Sequence, residues 1–332
     1  MQIISWIIST LLQWYVWMPI VAVLMFLTWR NYRKIEDFTP VESVLLVLEI
    51  PRTNDKQELA AEQLFASLHG ILRDNKELRL SGGHQEHISF EIASVNGQIR
   101  FYVWVPKTLQ SFVEGQIYSQ YPTVQIHQAD EDYTEHERDH EVAYSTELTL
   151  TTDEFLPIRT FQNFEVDPLA GITGTLAKLE TTGEELWIQV LVRPIPDDWQ
   201  NAADRYINSI KNGRMFSLPG FGGSMQWLIG VLGALWQPPE QGVGQSAKIE
   251  LSDRDKTRIS EAEKKATKLG YEVKIRLVYM GESQTNAKLR MQALVGTFKQ
   301  FNSTNLNGFR AVKGAFGKEF IDKYRKRSFI GD

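Results

Sequence analysis

The residues whose types and spacing come closest to an enzyme motif are HERDH at residues 136–140, which match the HExxH pattern. In that pattern two histidines one helical turn apart hold zinc, and the glutamate acts as general base. Real sites of this kind lie on a helix packed in a core, because a dry pocket makes the metal-bound water reactive. Here the flanks are polar and no third ligand is evident, so the pattern indicates a solvated interdomain loop. A zinc peptidase is retained only as a third hypothesis. His84 and His87 are expected at a loop and a strand start.

A second candidate is the string GAFGKE at residues 314–319. A phosphate-binding P-loop requires G-x-x-x-x-G-K-[ST], and here the loop is too short and a glutamate replaces the hydroxyl residue. Nucleotide hydrolysis by this chain is therefore not predicted. Residues 314–317 also match the GXXG that clamps a nucleic-acid backbone, with a flexible link as the alternative interpretation. The absence of cysteine excludes thiolate metal sites and nucleophiles. We predict no catalytic residue, no metal and no cofactor.

Aromatic and basic residues raise the question of nucleic-acid binding. Phe101, Tyr102 and Trp104 share one predicted hairpin, where bases could stack, although the RNP pattern is absent and strand aromatics are usually core. The formal net charge of −5 argues against a general nucleic-acid surface. Lipid or DNA phosphates are nevertheless candidate partners of a basic C-terminal cluster, which consists of Lys323, Arg325, Lys326 and Arg327.

The elements that must position these residues follow from hydrophobic periodicity. Residues 44–50 are a predicted buried strand, and residues 59–72 have the spacing of an amphipathic helix. Strands 87–95 and 98–105 flank Asn96-Gly97, the strongest short hairpin signal. A helix at 109–120 and a strand at 123–127 complete the order β-α-β-β-α-β, which is the ferredoxin-like pattern.

The same order recurs after the acidic stretch, with one long interruption. The second unit consists of predicted strands at 143–151, 185–193 and 271–280, a helix begun by Asp167-Pro168, a helix at 286–301 and a candidate fourth strand at 309–313. The predicted fold class is α+β, with an N-terminal transmembrane helix followed by two ferredoxin-like (βαββαβ) domains, the second with a helical insertion. The predicted boundaries are a transmembrane helix at 1–29, a linker at 30–40, domain 1 at 41–128, an acidic linker at 129–141, domain 2 at 142–313 with its insertion at 197–269, and a basic tail at 314–332.

The insertion contains an apolar, glycine-rich tract at residues 215–236. Its densest run is too short to span a bilayer. Three interpretations remain open: a core helix, a helix at the membrane interface, or a subunit contact. The residues that would make a membrane or subunit contact are Trp227, Leu228, Ile229, Leu232 and Trp236.

Residues 1–29 contain no Asp, Glu, Lys or Arg. About 20 apolar residues suffice to cross a bilayer, so this stretch predicts a single transmembrane helix. A cleaved signal peptide and a buried core helix are less favoured, because the stretch lacks a positive n-region and a cleavage site and is long for a core helix. Arg30, Arg33 and Lys34 follow it directly, and by the positive-inside rule they place the N-terminus outside and the body in the cytoplasm.

Five strings resemble a known family, namely AAEQLFASLHGI (60–71), ISFEIASVNGQIRFYVWVP (88–106), FEVDPLAGITGTLAKL (164–179), IQVLVRPIPDDW (188–199) and NLNGF (305–309). The chain is similar over residues 40–313 to the membrane-anchored N-terminal region of type IV secretion or conjugation coupling ATPases of candidate-phyla bacteria. In that family a P-loop ATPase domain follows, which this sequence does not contain. The resemblance therefore implies a role in transfer across the envelope without implying ATPase activity.

These observations predict a non-catalytic, membrane-anchored assembly module that tethers and positions a cytoplasmic P-loop ATPase. The expected partners are the membrane, a secretion ATPase and further copies of the chain, with DNA weakly supported and no small-molecule substrate. The alternative prediction is a membrane-tethered nucleic-acid-binding protein that uses the sheet aromatics and the basic tail.

Overall fold

The structure is a computed structural model of the chain. The model describes most residues between 42 and 329 and a few residues before residue 42. The described residues are 17–19, 21–26, 28, 42–51, 59–80, 84–135, 142–179, 183–211, 251–317 and 319–329.

The strands form where apolar and polar residues alternate or where β-branched and aromatic residues cluster. The hairpin predicted at Asn96-Gly97 is confirmed, because both residues have positive φ angles of 52° and 72° and join two antiparallel strands. The strands are β1 (Ser43–Glu49), β2 (Ile88–Val95), β3 (Gln98–Pro106), β4 (Gln125–Gln128), β5 (Val142–Leu150), β6 (Glu185–Pro194), β7 (Tyr271–Gly281), β8 (Phe309–Ala311) and β9 (Ala315–Phe316).

All of these strands belong to one antiparallel sheet of nine strands, in the order β4-β1-β3-β2-β6-β7-β5-β8, with β9 also paired to β5. The two halves of the chain meet at the β2–β6 pair, where Ile88 lies opposite Val192 and Ser94 lies opposite Leu186. The hydrogen-bonded ladder therefore continues across the middle of the molecule.

The predicted fold class is corrected by this sheet. The chain is an α+β fold with one nine-stranded antiparallel sheet, not a transmembrane helix followed by two ferredoxin-like domains. Hydrophobic periodicity predicts which residues form strands and which face they bury, but it carries no information about the lateral neighbour of a strand. Exposed edges of β2 and β6 would leave backbone N–H and C=O groups unpaired, and their mutual pairing satisfies those groups.

The helices begin at sequence signals that the structure confirms. The carboxylate of Asp167 accepts a hydrogen bond from the Leu169 amide at 2.8 Å, and the hydroxyl of Ser252 accepts one from the Asp255 amide at 3.2 Å. The helices are α1 (Leu59–Leu68), α2 (Asn75–Leu80), α3 (Gln110–Gln120), α4 (Pro168–Ala177), α5 (Asp198–Lys211), α6 (Asp253–Ala266), α7 (Gln284–Phe298) and α8 (Glu319–Arg325).

Four helices cover one face of the sheet. Leu64 and Leu68 of α1 and Val113 and Ile117 of α3 pack on the first half of the strands. Helices α4 and α7 pack on the second half through residues that include Ile172, Leu176, Met291 and Leu294. Val190 on β6 contacts both clusters, so the apolar core is continuous beneath the β2–β6 seam.

Helices α5 and α6 pack on each other around a smaller core. Tyr206 and Ile207 of α5 and Ile259 of α6 meet Phe155 and Leu156 from the loop that follows β5. The fully buried Asn307 fixes that loop, because its amide nitrogen donates to the carbonyl oxygens of Asp153 at 2.8 Å and Leu156 at 3.1 Å. Its side-chain oxygen accepts from the backbone N–H groups of Thr152 and Gly308.

The predicted membrane span at residues 1–29 is also corrected. Among the described residues, no helix combines the length and the apolar character needed to cross a bilayer. The described residues of this stretch, 17–19, 21–26 and 28, are helical, and its other residues lie outside the described part of the chain. The predicted single-pass location, with the N-terminus outside and the body in the cytoplasm, loses its support with it.

Replacing Asn307 tests the described loop anchor. Asn307→Ala removes bonds to five backbone groups in a buried site, and we expect the free energy of unfolding to fall by about 2–4 kcal/mol. Asn305→Ala, in the same loop but at an exposed position, is the matched control and should change it by less than about 0.5 kcal/mol. Urea unfolding followed by circular dichroism measures both variants, and equal effects would contradict the anchoring role of Asn307.

Candidate functional site in the buried polar network

The sheet face opposite the four helices has a row of polar side chains across its centre. Each residue lies directly opposite the next on neighbouring strands, so all of them point to the same face. We call these residues the central polar row, and in spatial order they are Tyr102 on β3, Glu91 on β2, Gln189 on β6, Arg276 on β7 and Glu147 on β5.

Hydrogen bonds connect the part of the row that runs from Glu91 to Glu147. Gln189 donates its amide to Glu91 at 2.9 Å, and Arg276 donates Nε to Glu147 at 2.7 Å and Nη1 to the Gln189 oxygen at 3.4 Å. Glu91, Gln189 and Arg276 are each at most 1% exposed. Buried polar groups of this kind are stable only when they are paired, and here they pair with one another across the seam between the two halves.

The C-terminal segment, residues 319–329, lies on this row. The Gln189 amide donates to the Tyr324 carbonyl at 3.0 Å, and Arg276 Nη1 donates to the Lys323 carbonyl at 3.3 Å. Both carbonyls belong to the last turn of α8, where the helix itself supplies no further donors. The guanidinium of Arg276 also places a positive charge at the negative end of the helix dipole. The row therefore gives each of these carbonyls a side-chain donor, in addition to the backbone donors that follow the helix.

Helix α8 ends in a Schellman motif. The Arg327 amide donates to the Tyr324 carbonyl at 3.0 Å, and the Ser328 amide donates to the Lys323 carbonyl at 3.2 Å. Arg327 occupies the left-handed position with a φ of 46°, where glycine is usual. A side chain there costs about 1 kcal/mol, so the contacts of Arg327 must compensate for this strain.

The guanidinium of Arg327 lies between two carboxylates and binds both in bidentate fashion. It donates Nε and Nη2 to the two oxygens of Glu91, each at 3.1 Å. It donates Nη2 to Asp132 at 3.1 Å and also bonds Asp132 through Nη1. Burial alone would lower the pKa of Arg327, but the two carboxylates outweigh it and raise that pKa, so the guanidinium stays charged. The bonds from Arg327 and Thr134 overcome the opposing effect of burial and lower the pKa of Asp132.

Tyr133 completes the hydrogen bonds to Glu91, and Tyr324 bonds in turn to Tyr133. The Tyr133 hydroxyl donates to Glu91 at 2.8 Å and lies 2.8 Å from the Tyr324 hydroxyl. Burial, and then the charge of Glu91, raise the pKa of both phenols, which therefore remain protonated donors. The Tyr133 ring stacks on Tyr102 with 4.7 Å between centroids and meets Trp187 edge-on.

His87 fixes the final residues of the segment. Its Nε2 donates to the Arg327 carbonyl at 2.7 Å, and its ring stacks on Trp104. Phe329 packs edge-on against His87 and beneath the guanidinium of Arg193, whose carbon lies 4.3 Å from the ring centroid. Burial lowers the pKa of His87 to about 4, because the partly opposing bond to Arg327 is weaker than this effect and the charges of Arg193 and Arg276 add to it. The imidazole is therefore neutral near pH 7.

Chemically, this arrangement is a clamp. Glu91 accepts bonds from Ser89, Gln189, Tyr133 and Arg327, so both of its oxygens are occupied by protein donors. The tyrosines and Arg327 are at most 4% exposed. Within the described ranges, no three His, Asp or Glu side chains are grouped to hold a metal ion. The network can fix the C-terminal segment in one position on the sheet.

The structure separates the residues of the predicted basic cluster. Arg327 is buried between Glu91 and Asp132, which already occupy the guanidinium that was predicted to contact phosphate. Lys326 is exposed, whereas Lys323 and Arg325 are partly buried. Arg325 lies 4.0 Å from Asp322. Of the four, Lys326 is thus the most accessible to an external anion.

Several other predicted residues lie outside the described part of the chain. These are Arg30, Arg33, Lys34, the HERDH motif at 136–140, and the contact residues Trp227, Leu228, Ile229, Leu232 and Trp236.

The hairpin aromatics and the GXXG string are described. Tyr102 is covered by Tyr133, and Trp104 is covered by His87, so both rings are already stacked. Residues 315 and 316 pair with Ser145 and Tyr144 as β9, and Gly314 lies so close to Tyr144 that a Cβ would come within 2.2 Å of its hydroxyl. This string is part of the sheet.

Sequence reasoning missed most of the network. Asp132 and Tyr133 lie in the stretch predicted to be an acidic linker, although Tyr133 is 4% exposed. A signal was present in the strands: Glu91, Gln189 and Arg276 each interrupt an apolar run, which predicts a buried polar group in need of a partner. The sequence does not reveal that these three residues lie side by side on neighbouring strands, or that the C-terminal segment lies on them.

Residues 36–329 match the model of a protein family that is described as a domain of unknown function, DUF8128. No curated protein matches the chain. Two solved structures are similar: a chitooligosaccharide oxidase (TM-score 0.31, 8% identity, 81% of this chain and 46% of that one) and a xylooligosaccharide oxidase from Myceliophthora thermophila C1 in complex with xylobiose (TM-score 0.30, 11% identity, 82% and 46%). The chain spans less than half the length of either oxidase. At these TM-scores the likeness indicates neither a shared fold nor a shared function.

Arg327→Met tests the clamp. It leaves Glu91 buried without its counter-charge, and we expect the free energy of unfolding to fall by about 3–5 kcal/mol. Adding Glu91→Gln should recover part of this loss, because the two side chains interact directly. The control Lys326→Met, at the exposed neighbouring position, should change stability by less than about 0.5 kcal/mol. Unfolding in guanidinium chloride measures the stability of the wild type, the single variants and the double variant. If the effects of Arg327→Met and Glu91→Gln on the free energy of unfolding simply added, the pairing would be contradicted.

His87 predicts a pH dependence of stability. The unfolded chain takes up a proton on this residue below its ordinary pKa of 6.5, whereas the folded chain does so only near pH 4. The contribution of neutral His87 to the free energy of unfolding is therefore fully present above pH 6.5. It falls by up to about 3 kcal/mol as the pH drops to 4. Urea unfolding between pH 4 and 7.5 should show this fall in the wild type and in His84→Gln, but not in His87→Gln. Parallel curves for wild type and His87→Gln would contradict the burial of a neutral imidazole.

Proposed function

The chain belongs to the DUF8128 family, and on that premise we propose that it is a non-catalytic assembly module that holds a partner protein in a fixed orientation relative to its sheet. The partner that the sequence resemblance implies is a P-loop ATPase of a type IV secretion or conjugation apparatus. The module contributes position, and the partner contributes nucleotide hydrolysis.

The observation that carries this proposal is the clamp on the C-terminal segment. Arg327 joins the segment to β2 through Glu91 and to the loop after β4 through Asp132. Its neighbours Tyr324 and Lys323 accept bonds from Gln189 on β6 and Arg276 on β7. A protein bound to the outer side of this segment would be held rigidly relative to both halves of the sheet.

The hydrogen bonds of the ionisable side chains at the site also support a structural role for those side chains. A catalytic carboxylate or phenol needs an open position beside a substrate atom. Both oxygens of Glu91 are bonded internally, and the hydroxyls of Tyr133 and Tyr324 bond to each other. The alternative of nucleic-acid binding by sheet aromatics has less support, because Tyr102 and Trp104 already stack on residues of the same chain.

The proposal is tested by mixing the purified chain with a P-loop ATPase of a secretion or conjugation apparatus from the same organism. We expect a stoichiometric complex in size-exclusion chromatography with light scattering, and no ATP hydrolysis by the chain alone. Arg327→Met should weaken the complex at least about tenfold, since the segment loses its fixed position, while Arg310→Met on the exposed β8 is the control. Absence of a complex, or hydrolysis by the chain alone, would contradict the assignment.

A further inference from the structure

Strand β4 forms one end of the sheet, and within the described residues it pairs only with β1. The Ala129 amide donates to the Leu45 carbonyl at 2.8 Å, which sets the alternation of this antiparallel pair. In such a pair the residues at every second position direct their N–H and C=O groups toward the partner. Gln125, His127 and Ala129 therefore face β1, whereas Ile126 and Gln128 direct their backbone groups outward.

Strand β4 is only four residues long, but residues 124–128 lack the residue types with which proteins usually protect an edge strand. The string VQIHQ has no proline, no glycine and no lysine. Gln125, His127 and Gln128 are exposed, and Ile126 is half-buried. The outward backbone groups of β4 are thus a template on which an additional strand can form hydrogen bonds.

A cavity of about 580 Å³ opens beside this edge, on the sheet face that carries the central polar row. Val47, Tyr102 and Tyr133 contribute apolar surface to it. His127 of β4 is also part of its lining, so the edge and the cavity are contiguous. A side chain from a strand added to β4, at a position next to His127, would point to this face and reach the cavity.

Charged groups of the cavity select the side chain that enters it. The exposed carboxylates of Asp130 and Glu131 line it together with a single guanidinium, that of Arg100. Arg100 already donates to the side-chain oxygen of Gln98 at 2.9 Å. The cavity therefore has an excess of negative charge and is complementary to a lysine or arginine side chain.

We propose that the outer edge of β4 and this cavity together bind an extended peptide segment of a partner protein, which pairs with β4 and places a Lys or Arg side chain against Asp130 and Glu131. Backbone hydrogen bonds to Ile126 and Gln128 supply affinity, and the cavity supplies side-chain selectivity. This surface goes beyond the proposed function, because it uses the end of the sheet and not the C-terminal segment.

The probe is a phage-displayed pool of random twelve-residue peptides selected on the wild-type chain. Enriched peptides should alternate apolar and polar residues around a Lys or Arg, and their affinity is then measured by fluorescence anisotropy. Gln128→Pro removes an outward N–H to which no described residue accepts a hydrogen bond, and we expect it to weaken binding by about tenfold. Gln128→Ala retains the N–H and should stay within about twofold. Asp130→Lys should weaken binding by about tenfold, and Glu165→Lys, a distant exposed acid, should have no effect.

Urea unfolding checks that Gln128→Pro retains wild-type stability, which we expect because this N–H has no acceptor among the described residues. The proposal is overturned if no peptide is enriched, if enriched peptides bind Gln128→Pro as tightly as the wild type, or if they lack a basic residue. It is also overturned if analytical ultracentrifugation shows that the wild type self-associates and Gln128→Pro does not. In that case a second copy of the chain occupies the edge.

Discussion

The ion pair between Arg327 and Glu91 is the interaction on which the rest of the site depends. Glu91 lies at the centre of the sheet and is 1% exposed, so its charge is tolerable only with a counter-charge and a full set of donors. The counter-charge comes from a residue 236 positions away in the sequence. The pairing therefore ties the C-terminal segment to the centre of the sheet.

The continuous sheet is what makes this placement useful. Glu91 and Gln189 lie opposite each other across the β2–β6 seam, and both are bonded to the C-terminal segment. On the other face, α4 crosses the same seam, and the Leu176 carbonyl of that helix accepts a bond from Ser94 of β2. The two halves are therefore held together by backbone pairing, by an apolar core and by the polar network above it. A displacement of one half would disrupt all three.

Much of the local structure could be predicted from the sequence, because its causes are local. Asn96-Gly97 forces a tight turn, Asp167 caps a helix, and alternation in the strands identifies their buried faces. The joining of β2 to β6 could not be predicted, since nothing in either strand specifies its lateral neighbour. Arg327 could not be distinguished from Lys326 for the same reason. Both are basic residues of the predicted basic tail, and only the contacts with the distant Glu91 and Asp132 make Arg327 the buried one.

The backbone of Arg327 gives a further argument for a positioning role. Glycine would end α8 in the same Schellman motif without strain, yet an arginine occupies the left-handed position. The strain is offset only when the guanidinium reaches both carboxylates, and their bidentate geometry allows one orientation of the side chain. Apolar contacts such as those of Ile321 and Tyr324 would tolerate small shifts of the segment, whereas directional bonds do not. A segment attached in this way has one register on the sheet, which is the property that a module for orienting a partner requires.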